Sequence, residues 1–260
     1  MGRCVRIDLN SDLGEGYGPW QMGDDAAMLD LVTTANIACG FHAGDPETMR
    51  RTVALARERG VAVGAHPGYA DLIGFGRRPV HGVGPNEIET LVAYQVAALQ
   101  AVATLADHRV THVKTHGALG NACADDDALA DAVARGIEAA DPQLAFMVMP
   151  GTATERAAER AGLLPIREIY ADRTYDDSFN LTNRRVAGAV IHDADVALER
   201  VMRAVSEDRL ESVSGKSLDV SIDSVCVHGD NPAAVVMARA LRTGLEAAGW
   251  TITSALAASG

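Results

Sequence analysis

Short apolar runs alternate with longer segments of helical pattern along the chain, and this alternation constrains the fold more than any other feature of the sequence. Strands joined by helices predict a parallel sheet whose connections are helical crossovers. The predicted strands are residues 5–9, 34–39, 61–66, 110–116, 144–149, 165–171 and 223–229. The predicted helices lie near residues 24–32, 45–60, 85–107, 126–140, 152–161, 193–207 and 232–248.

The 260 residues contain no linker, internal repeat or low-complexity segment that would divide them. A chain of this length suits one α/β barrel. We therefore predict a single (β/α) barrel domain over residues 1–260, with an open doubly wound sheet as the alternative. Two stretches depart from the alternation. Residues 209–221 predict a small hairpin, and residues 250–256 are compatible with a last strand.

Charge and composition narrow the possible partners and the compartment. The formal net charge is −12 and no polybasic run occurs, which disfavours nucleic acid and anionic membranes as partners. The N-terminus has no apolar signal core and no later segment reaches about 18 apolar residues, so we expect a cytoplasmic protein. The cysteines show no CxxC spacing, which argues against a cysteine zinc site, and they are Cys4, Cys39, Cys123 and Cys226.

Polar and ionisable residues follow the predicted strands. In a parallel barrel the carboxyl ends of the strands share one face, where the loops build the active site, so these distant residues are predicted to converge on one pocket. Two arginines, Arg77 and Arg78, lie in the loop after the third predicted strand. The other candidate site residues are Asn10, Asp12, Glu15, His42, Asp45, His66, Lys114, His116, Asp172, Arg173, His228 and Asp230.

Some of these residues also have a purely structural interpretation. Asp45 precedes Pro46 at a predicted helix start, so N-capping alone would explain it. His42 could be a hydrogen-bonded loop histidine between Gly40 and Gly44. Capping explains Asp230 less well, because the next residue already occupies the position before the following proline.

The segment VTHVKTH (110–116) can be interpreted by strand period. His112, Lys114 and His116 share one strand face, and the two histidines are spread by about 13 Å at ~3.3 Å per residue. They cannot both chelate one ion, which predicts a structural His112 and a His116 at the mouth of the barrel. Lys114 then faces inward, and a buried lysine needs a partner or a chemical task.

Two glycine-containing motifs resemble parts of nucleotide sites but lack the required spacing. GKS at 215–217 has Leu210 where a phosphate-binding loop needs its first glycine, and GEGYG at 14–18 lacks the third-glycine spacing of a dinucleotide fingerprint. The chain therefore carries no recognisable nucleotide motif of its own.

Five ordered blocks together resemble the LamB/YcsF family, from about residue 7 to residue 250. They are DLNSDLGEGYG (8–18), NIACGFHAGD (36–45), GAHPGYADLIGFGRR (64–78), HVKTHGALGN (112–121) and VHGDNP (227–232). The resemblance implies a seven-stranded, irregular barrel of the glycoside hydrolase/deacetylase type. It also implies ATP-dependent opening of the lactam of 5-oxoproline to L-glutamate (5-oxoprolinase) together with partner subunits B and C, which would handle the ATP.

The sequence departs from the family pattern at several positions. Thr115 stands where proline is usual and Gly120 where tyrosine is usual, while Gly68 and Ala70 replace a typical serine and proline. The stretch 171–184 lacks the usual glycine after its acidic pair and carries Asn near its end. These departures bear on loop shape and substrate choice.

Amide hydrolysis needs a base for the attacking water and stabilisation of the developing oxyanion. We assign Asp12 or Glu15 as general base, with His42 or His66 as its proton partner. Lys114 and His116 are assigned to the oxyanion or a phosphate. Arginines suit the substrate carboxylate, and the candidates are Arg77, Arg78 and Arg173. Substrate binding is also predicted for Asn10, Asp45, Asp172, His228 and Asp230.

Asp12, His42 and His66 also resemble the divalent-metal triads of deacetylases with related barrels, so a metal ion on these three residues is an open possibility. Two rival functions remain open as well. One is a stand-alone metal-dependent deacetylase or amidohydrolase, and the other is a non-catalytic binding subunit of the complex.

Overall fold

The computed structural model describes residues 5–228 and 232–257. The predicted site residue Asp230 lies outside these described residues, and so does Cys4.

The described residues form ten strands and eight helices. The strands are β1 (Arg6–Leu13), β2 (Thr34–Ala38), β3 (Ala62–His66), β4 (Val110–Lys114), β5 (Ala145–Val148), β6 (Pro165–Tyr170), β7 (Arg209–Glu211), β8 (Ser217–Asp219), β9 (Ser224–Cys226) and β10 (Thr251–Ile252). The helices are α1 (Asp25–Leu29), α2 (Pro46–Glu58), α3 (Pro85–Leu105), α4 (Gly117–Asp125), α5 (Asp127–Ala140), α6 (Ala153–Ala161), α7 (Ala194–Glu207) and α8 (Pro232–Ala247).

Seven parallel strands close into a ring. The order is β1-β2-β3-β4-β5-β6-β9, and β9 pairs with β1 to complete the circle. In that last pairing Asp8 lies opposite Ser224 and Asn10 lies opposite Cys226. The predicted (β/α) barrel is confirmed, and the closure excludes the open doubly wound sheet.

The two stretches that depart from the alternation lie at the edges of the barrel. β7 and β8 pair antiparallel, as the small hairpin predicted over residues 209–221 requires. β10 pairs with the first residues of β1, so the last strand exists but is only two residues long.

Among the predicted elements, the end of β1 was wrong and one helix was missing. β1 extends to Leu13, so Asn10 and Asp12 lie within the strand and not after it. Polar residues can continue the strand here because Asn36 on β2 donates hydrogen bonds to both side chains. The second error is α4, which was not predicted because its sequence GALGNACAD contains two glycines, and glycine disfavours helix interiors.

The helices of the outer layer begin and end at recognisable signals. Asp45 caps α2 ahead of Pro46, and that helix stops just before Gly60, whose φ is +67°. Asp126 and Asp193 cap α5 and α7 in the same way. α1 is shorter than the predicted 24–32, since it covers only Asp25–Leu29.

The two faces of the ring strands differ in polarity. Odd-numbered residues of β1 such as Leu9 and Leu13 join the large apolar core beneath the helices. Even-numbered residues of the same strand, Asp8, Asn10 and Asp12, are buried and polar. Because strand side chains alternate between faces, the polar set belongs to the inner face of the ring. The barrel interior is therefore largely a hydrogen-bonded polar core.

Gly64 on β3 makes room for one member of this interior. A Cβ at Gly64 would lie 2.1 Å from Nε2 of His112 on the neighbouring strand. The His112 ring crosses that space, and its Nε2 lies 2.8 Å from Asn36 Oδ1. Burial lowers the pKa of His112 to about 3, so this histidine is a neutral structural group, in agreement with the strand-period argument.

α3 is long and apolar enough to cross a membrane when judged by length and composition alone. Its residues Ile88, Val92 and Leu99 are buried in the core of the barrel protein. A core helix of a soluble protein passes the same test.

Candidate active site at the mouth of the barrel

A cavity of about 380 Å³ opens at the carboxyl ends of the strands. Its size falls within the range of small-molecule sites. Seven of the predicted site residues line it, and they are Asp12, His66, Arg77, Lys114, His116, Arg173 and His228. Residues scattered along more than 200 positions thus meet at one end of the fold.

Lys114 is the central cation of the cavity floor. Its Nζ lies 3.0 Å from Asp12 Oδ1 and 3.0 Å from Glu168 Oε2, and the side chain is 2% exposed. Burial by itself lowers the pKa of Lys114, but the carboxylates of Asp12 and Glu168 outweigh burial and raise it well above its ordinary value. Lys114 is therefore a fixed positive charge under the cavity.

Asp12 is held as a carboxylate by its neighbours. Its Oδ2 lies 3.3 Å from His66 Nε2, its Oδ1 lies 3.0 Å from Lys114 Nζ, and Asn36 donates to Oδ1 at 2.9 Å. Burial raises the pKa of Asp12, but the neighbouring His66 and Lys114 outweigh burial and lower it well below its ordinary value. Asp12 thus presents a negative charge beside a positive one at the cavity floor.

Asn10 lies one layer below the cavity lining. Its Oδ1 accepts from Lys114 Nζ at 3.2 Å and from Asn36 at 2.9 Å, and its Nδ2 donates to Ser224 Oγ at 2.8 Å. The structure therefore places Asn10 where it orients Lys114, without a position in the cavity wall.

Glu168 is a site residue that sequence reasoning missed. It lies in the middle of β6, pairs with Lys114, and accepts from the Tyr170 hydroxyl at 2.9 Å. The sequence could have identified Glu168, because it is a charged residue within a predicted strand. A buried charge of this kind needs a partner of opposite charge.

The second part of the site is a compact group of histidines beside Glu15. The His66 and His116 rings meet with Nε2 and Nδ1 3.0 Å apart, and the His42 ring stacks on His116 with 3.7 Å between ring centres. Glu15 Oε1 lies 3.7 Å from His116 Nδ1 and 3.9 Å from His42 Nε2. All four side chains are buried.

The loop after β3 shapes this group. Phe75 accepts through its carbonyl from His116 Nε2 at 2.8 Å, and Gly76 follows with a φ of +61°. A Cβ at Gly76 would lie 2.8 Å from both His116 and His42, so only glycine permits this close approach. In the segment GFGRR (74–78), the predicted site residues are the two arginines. The structure shows that Gly76 is also needed, because it allows His42 and His116 to pack closely against the loop.

Burial sets the protonation of two of these rings. It lowers the pKa of His42 well below its ordinary value, with a further contribution from His116. It lowers the pKa of His116 to about 3, with a further contribution from His66. Both rings are therefore neutral imidazoles, which can accept a proton or bind a metal through a lone pair.

The opposite rim of the cavity carries cations. Asp172 accepts from His228 Nδ1 at 2.7 Å, and Arg184 lies with its Nη2 3.4 Å from His228 Nε2. Arg173 is buried and donates to the carbonyl oxygens of Thr182 and Ala189, so it fixes the loop. Arg184 was missed because site residues were predicted from their position after a strand, and Arg184 lies in an irregular loop.

Two predicted residues, Asp45 and Arg78, contact neither the cavity lining nor the histidine group. Asp45 accepts from the backbone of Glu47, Thr48 and Gly18 and thereby caps α2. Arg78 is paired with Asp71 outside the cavity, and its side chain is 62% exposed.

The fold and this mouth define a class of protein, namely a closed seven-stranded (β/α) barrel with a cavity lined by ionisable side chains at the carboxyl ends of its strands. The chain belongs to the LamB/YcsF family, whose profile matches residues 7–259.

Similar proteins agree with this assignment. A protein of Rhodopseudomonas palustris, named as the A subunit of 5-oxoprolinase, is 56% identical over 95% of this chain and 98% of its own length. The crystal structure of a lactam utilization protein from Thermus thermophilus is 41% identical, covers 96% of this chain and 100% of that chain, and has a TM-score of 0.90.

A more distant structure is similar in fold alone. The catalytic domain of a peptidoglycan N-acetylglucosamine deacetylase from Eubacterium rectale is 13% identical, covers 100% of this chain and 91% of that domain, and has a TM-score of 0.52. The barrel is thus of the deacetylase type expected from the family resemblance.

A buried group of glutamate and histidine residues could hold a metal ion. Glu15, His42, His66 and His116 offer ligand atoms that all lie within 4.8 Å of one another. This group differs from the set Asp12, His42 and His66 predicted from the sequence, because Glu15 and His116 enter it while Asp12 is engaged by Lys114.

Proposed function

We propose that this chain is the A subunit of a cytoplasmic 5-oxoprolinase, which opens the lactam ring of 5-oxoproline to L-glutamate together with partner subunits B and C. The names of the relatives support this assignment. The observation that carries it is the Asp12 carboxylate, held between Lys114 and His66 at the floor of a cavity suited to a small cyclic amide.

The partner subunits, and not this chain, are proposed to bind ATP. The 260-residue sequence has no nucleotide-binding motif, so subunits B and C would bind ATP and use it to activate the ring carbonyl. The chain described here would then receive the activated ring.

The residues of the mouth supply what hydrolysis of the ring needs. Water adds to the ring carbonyl carbon, and its proton passes to the Asp12 carboxylate, which lines the cavity. Lys114 lies below as the positive charge that stabilises the oxygen of the addition intermediate. The carbon–nitrogen bond then breaks, and the same proton returns to the leaving nitrogen, which becomes the amino group of glutamate. A second water then displaces the activating phosphate from the carboxyl carbon, which gives the free carboxylate and inorganic phosphate.

Arginine at the rim would hold the substrate carboxylate. Arg77 and Arg184 line the cavity, whereas Arg173 is used by loop carbonyls and Arg78 lies outside. A guanidinium binds a carboxylate through two parallel hydrogen bonds. Arg184→Ala should raise KM for 5-oxoproline roughly 10-fold or more, since a charge-assisted bond contributes about 1.5–3 kcal/mol.

Arg185→Ala is the matched control for that substitution, because Arg185 is the exposed neighbour and is not among the residues that line the cavity. Its KM should stay within about twofold of the wild-type value. Equal KM values for the Arg184→Ala and Arg185→Ala enzymes would remove Arg184 from substrate binding.

Reconstitution tests the function as a whole. The chain is mixed with candidate subunits B and C, 5-oxoproline and ATP, and glutamate is measured while each component is omitted in turn. We expect glutamate only from the complete mixture. Turnover by the isolated chain without ATP would instead indicate a stand-alone amidohydrolase, and full turnover without this chain would show that it is not needed for catalysis.

A further inference from the structure

The backbone fixes which nitrogen carries the proton in two of the buried histidines. The Lys114 carbonyl lies 2.8 Å from His66 Nδ1, and the Phe75 carbonyl lies 2.8 Å from His116 Nε2. A carbonyl only accepts, so both of these ring nitrogens carry hydrogen. In neutral rings, the lone pairs are therefore on His66 Nε2 and His116 Nδ1.

These two nitrogens lie 3.0 Å apart. Two acceptors at that distance repel, and Asp12 Oδ2 adds a third electron-rich atom 3.3 Å from the same nitrogen of His66. Glu15 Oε1 lies 3.7 Å from His116 Nδ1 on another side. Either a shared proton or a bound metal ion among these atoms removes the repulsion.

The distances suit a metal ion. Ligands bound at about 2.0–2.1 Å in a tetrahedral zinc site lie about 3.4 Å from each other. The histidine nitrogens are 3.0 Å apart and Glu15 lies 3.7 Å from His116, and these two separations bracket that value. The third pair, Glu15 and His66, belongs to a group whose ligand atoms all lie within 4.8 Å of one another. Two imidazole nitrogens with one carboxylate oxygen form a donor set typical of zinc sites that keep one position open.

His42 has a different place in the site. Its ring lies within 2° of parallel to the His116 ring, so its in-plane lone pair cannot point at an ion bound in the plane of His116. Neither nitrogen of His42 has a hydrogen-bond partner among the described residues. His42 therefore packs against the His116 ring and is not among the proposed ligands.

We propose that Glu15, His66 and His116 bind one divalent cation of the zinc type at the mouth of the barrel. The fourth position would take water or the ring carbonyl oxygen, so the ion would serve as Lewis acid for the lactam. That chemical role rests on the proposed function, whereas binding of the ion does not and is measured without substrate.

The test uses the isolated full-length chain without a histidine tag, stripped with chelator and dialysed. Zn²⁺ is titrated by calorimetry, and the bound ion is counted by elemental analysis after gel filtration. We expect one equivalent on the wild-type chain. Glu15→Gln and His116→Gln should each weaken binding by more than the roughly 10- to 100-fold that loss of an outer partner causes.

His192→Gln is the matched control, because His192 is exposed and lies outside the group, so its binding should equal wild type. Circular dichroism and urea unfolding confirm that each variant is folded. If His116→Gln does not fold, Glu15→Gln alone tests the proposal. Co²⁺ provides a second readout, since a tetrahedral site gives intense visible absorption, which Glu15→Gln should abolish.

Less than a tenth of an equivalent on the wild-type chain would overturn the proposal and indicate that a proton joins the two rings. Equal binding by the wild-type and Glu15→Gln chains would overturn it as well. Failure of ring opening with intact zinc binding would count against the proposed function alone.

Discussion

Asp8 and Asp12 lie on the same inner face of β1, four positions apart, yet they are different kinds of carboxylate. Asp8, at the amino-terminal end of the barrel, accepts from the hydroxyls of Thr33 at 2.6 Å and Thr34 at 2.7 Å, and also from Ser224. Asp12, at the mouth, faces Lys114 and His66.

Their acidities move in opposite directions. Burial raises the pKa of Asp8 to about 6, because neutral hydroxyls compensate its charge only in part. His66 and the Lys114 ammonium outweigh burial at Asp12 and lower its pKa well below the ordinary value. Burial is common to both residues, so the charge of the partners decides which carboxylate is structural and which is chemical.

The largest effect is expected at the cation that distinguishes the two ends. Lys114→Met removes the shared partner of Asp12 and Glu168 and leaves buried negative charge uncompensated. We expect a loss of about 3–5 kcal/mol in the free energy of unfolding, together with loss of activity. Urea unfolding at pH 7 measures the first.

Lys216 is the only other lysine of the sequence, and it is exposed. Lys216→Met should therefore change the free energy of unfolding by less than about 1 kcal/mol. Similar losses for the two substitutions would refute the view that Lys114 is the electrostatic centre of the mouth.

Asp8→Asn tests the other end of the comparison. The pKa of Asp8 is raised from 3.8 to about 6 in the folded state, so folding binds a proton more tightly. The stability that Asp8 contributes is therefore present below about pH 4 and is lost as the pH rises through about 6. The shift corresponds to at most roughly 3 kcal/mol.

The free energy of unfolding of Asp8→Asn should lack this pH-dependent decrease. Urea unfolding is measured for both proteins at pH 4.5 and at pH 7.5, and the stability of the variant relative to wild type should be greater at pH 7.5. The difference between the two proteins isolates Asp8 from other titrating groups. Parallel pH profiles would show that Asp8 does not hold a raised pKa.

Asp45 provides a smaller test of the same rule. Its partners are backbone N–H groups and the Thr48 hydroxyl, none of them cationic, so it belongs with the structural carboxylates. Asp45→Ala should cost about 1 kcal/mol as a lost N-cap, with KM for 5-oxoproline unchanged. A tenfold rise in KM for Asp45→Ala with unchanged stability would show instead that Asp45 binds the substrate.

The sequence predicted the barrel because its strands and helices alternate strictly, and it predicted the mouth because parallel strands end at one face. Glu168 and Asn36 were missed because the prediction selected residues that follow the end of a strand, and these two lie within strands. Arg184 was missed because residues 171–193 form an irregular loop. Asp45 and Arg78 follow strands like their neighbours, but local partners hold them away from the cavity.

The most direct measurement compares Asp12→Asn with Asp8→Asn in the reconstituted complex, at equal concentrations of folded protein. We expect complex-dependent glutamate formation to fall by about 1,000-fold in Asp12→Asn, as for loss of a general base. Asp8→Asn should stay within about twofold of wild type. Retained turnover in Asp12→Asn, or equal loss in both variants, would contradict the assignment of the chemistry to the mouth.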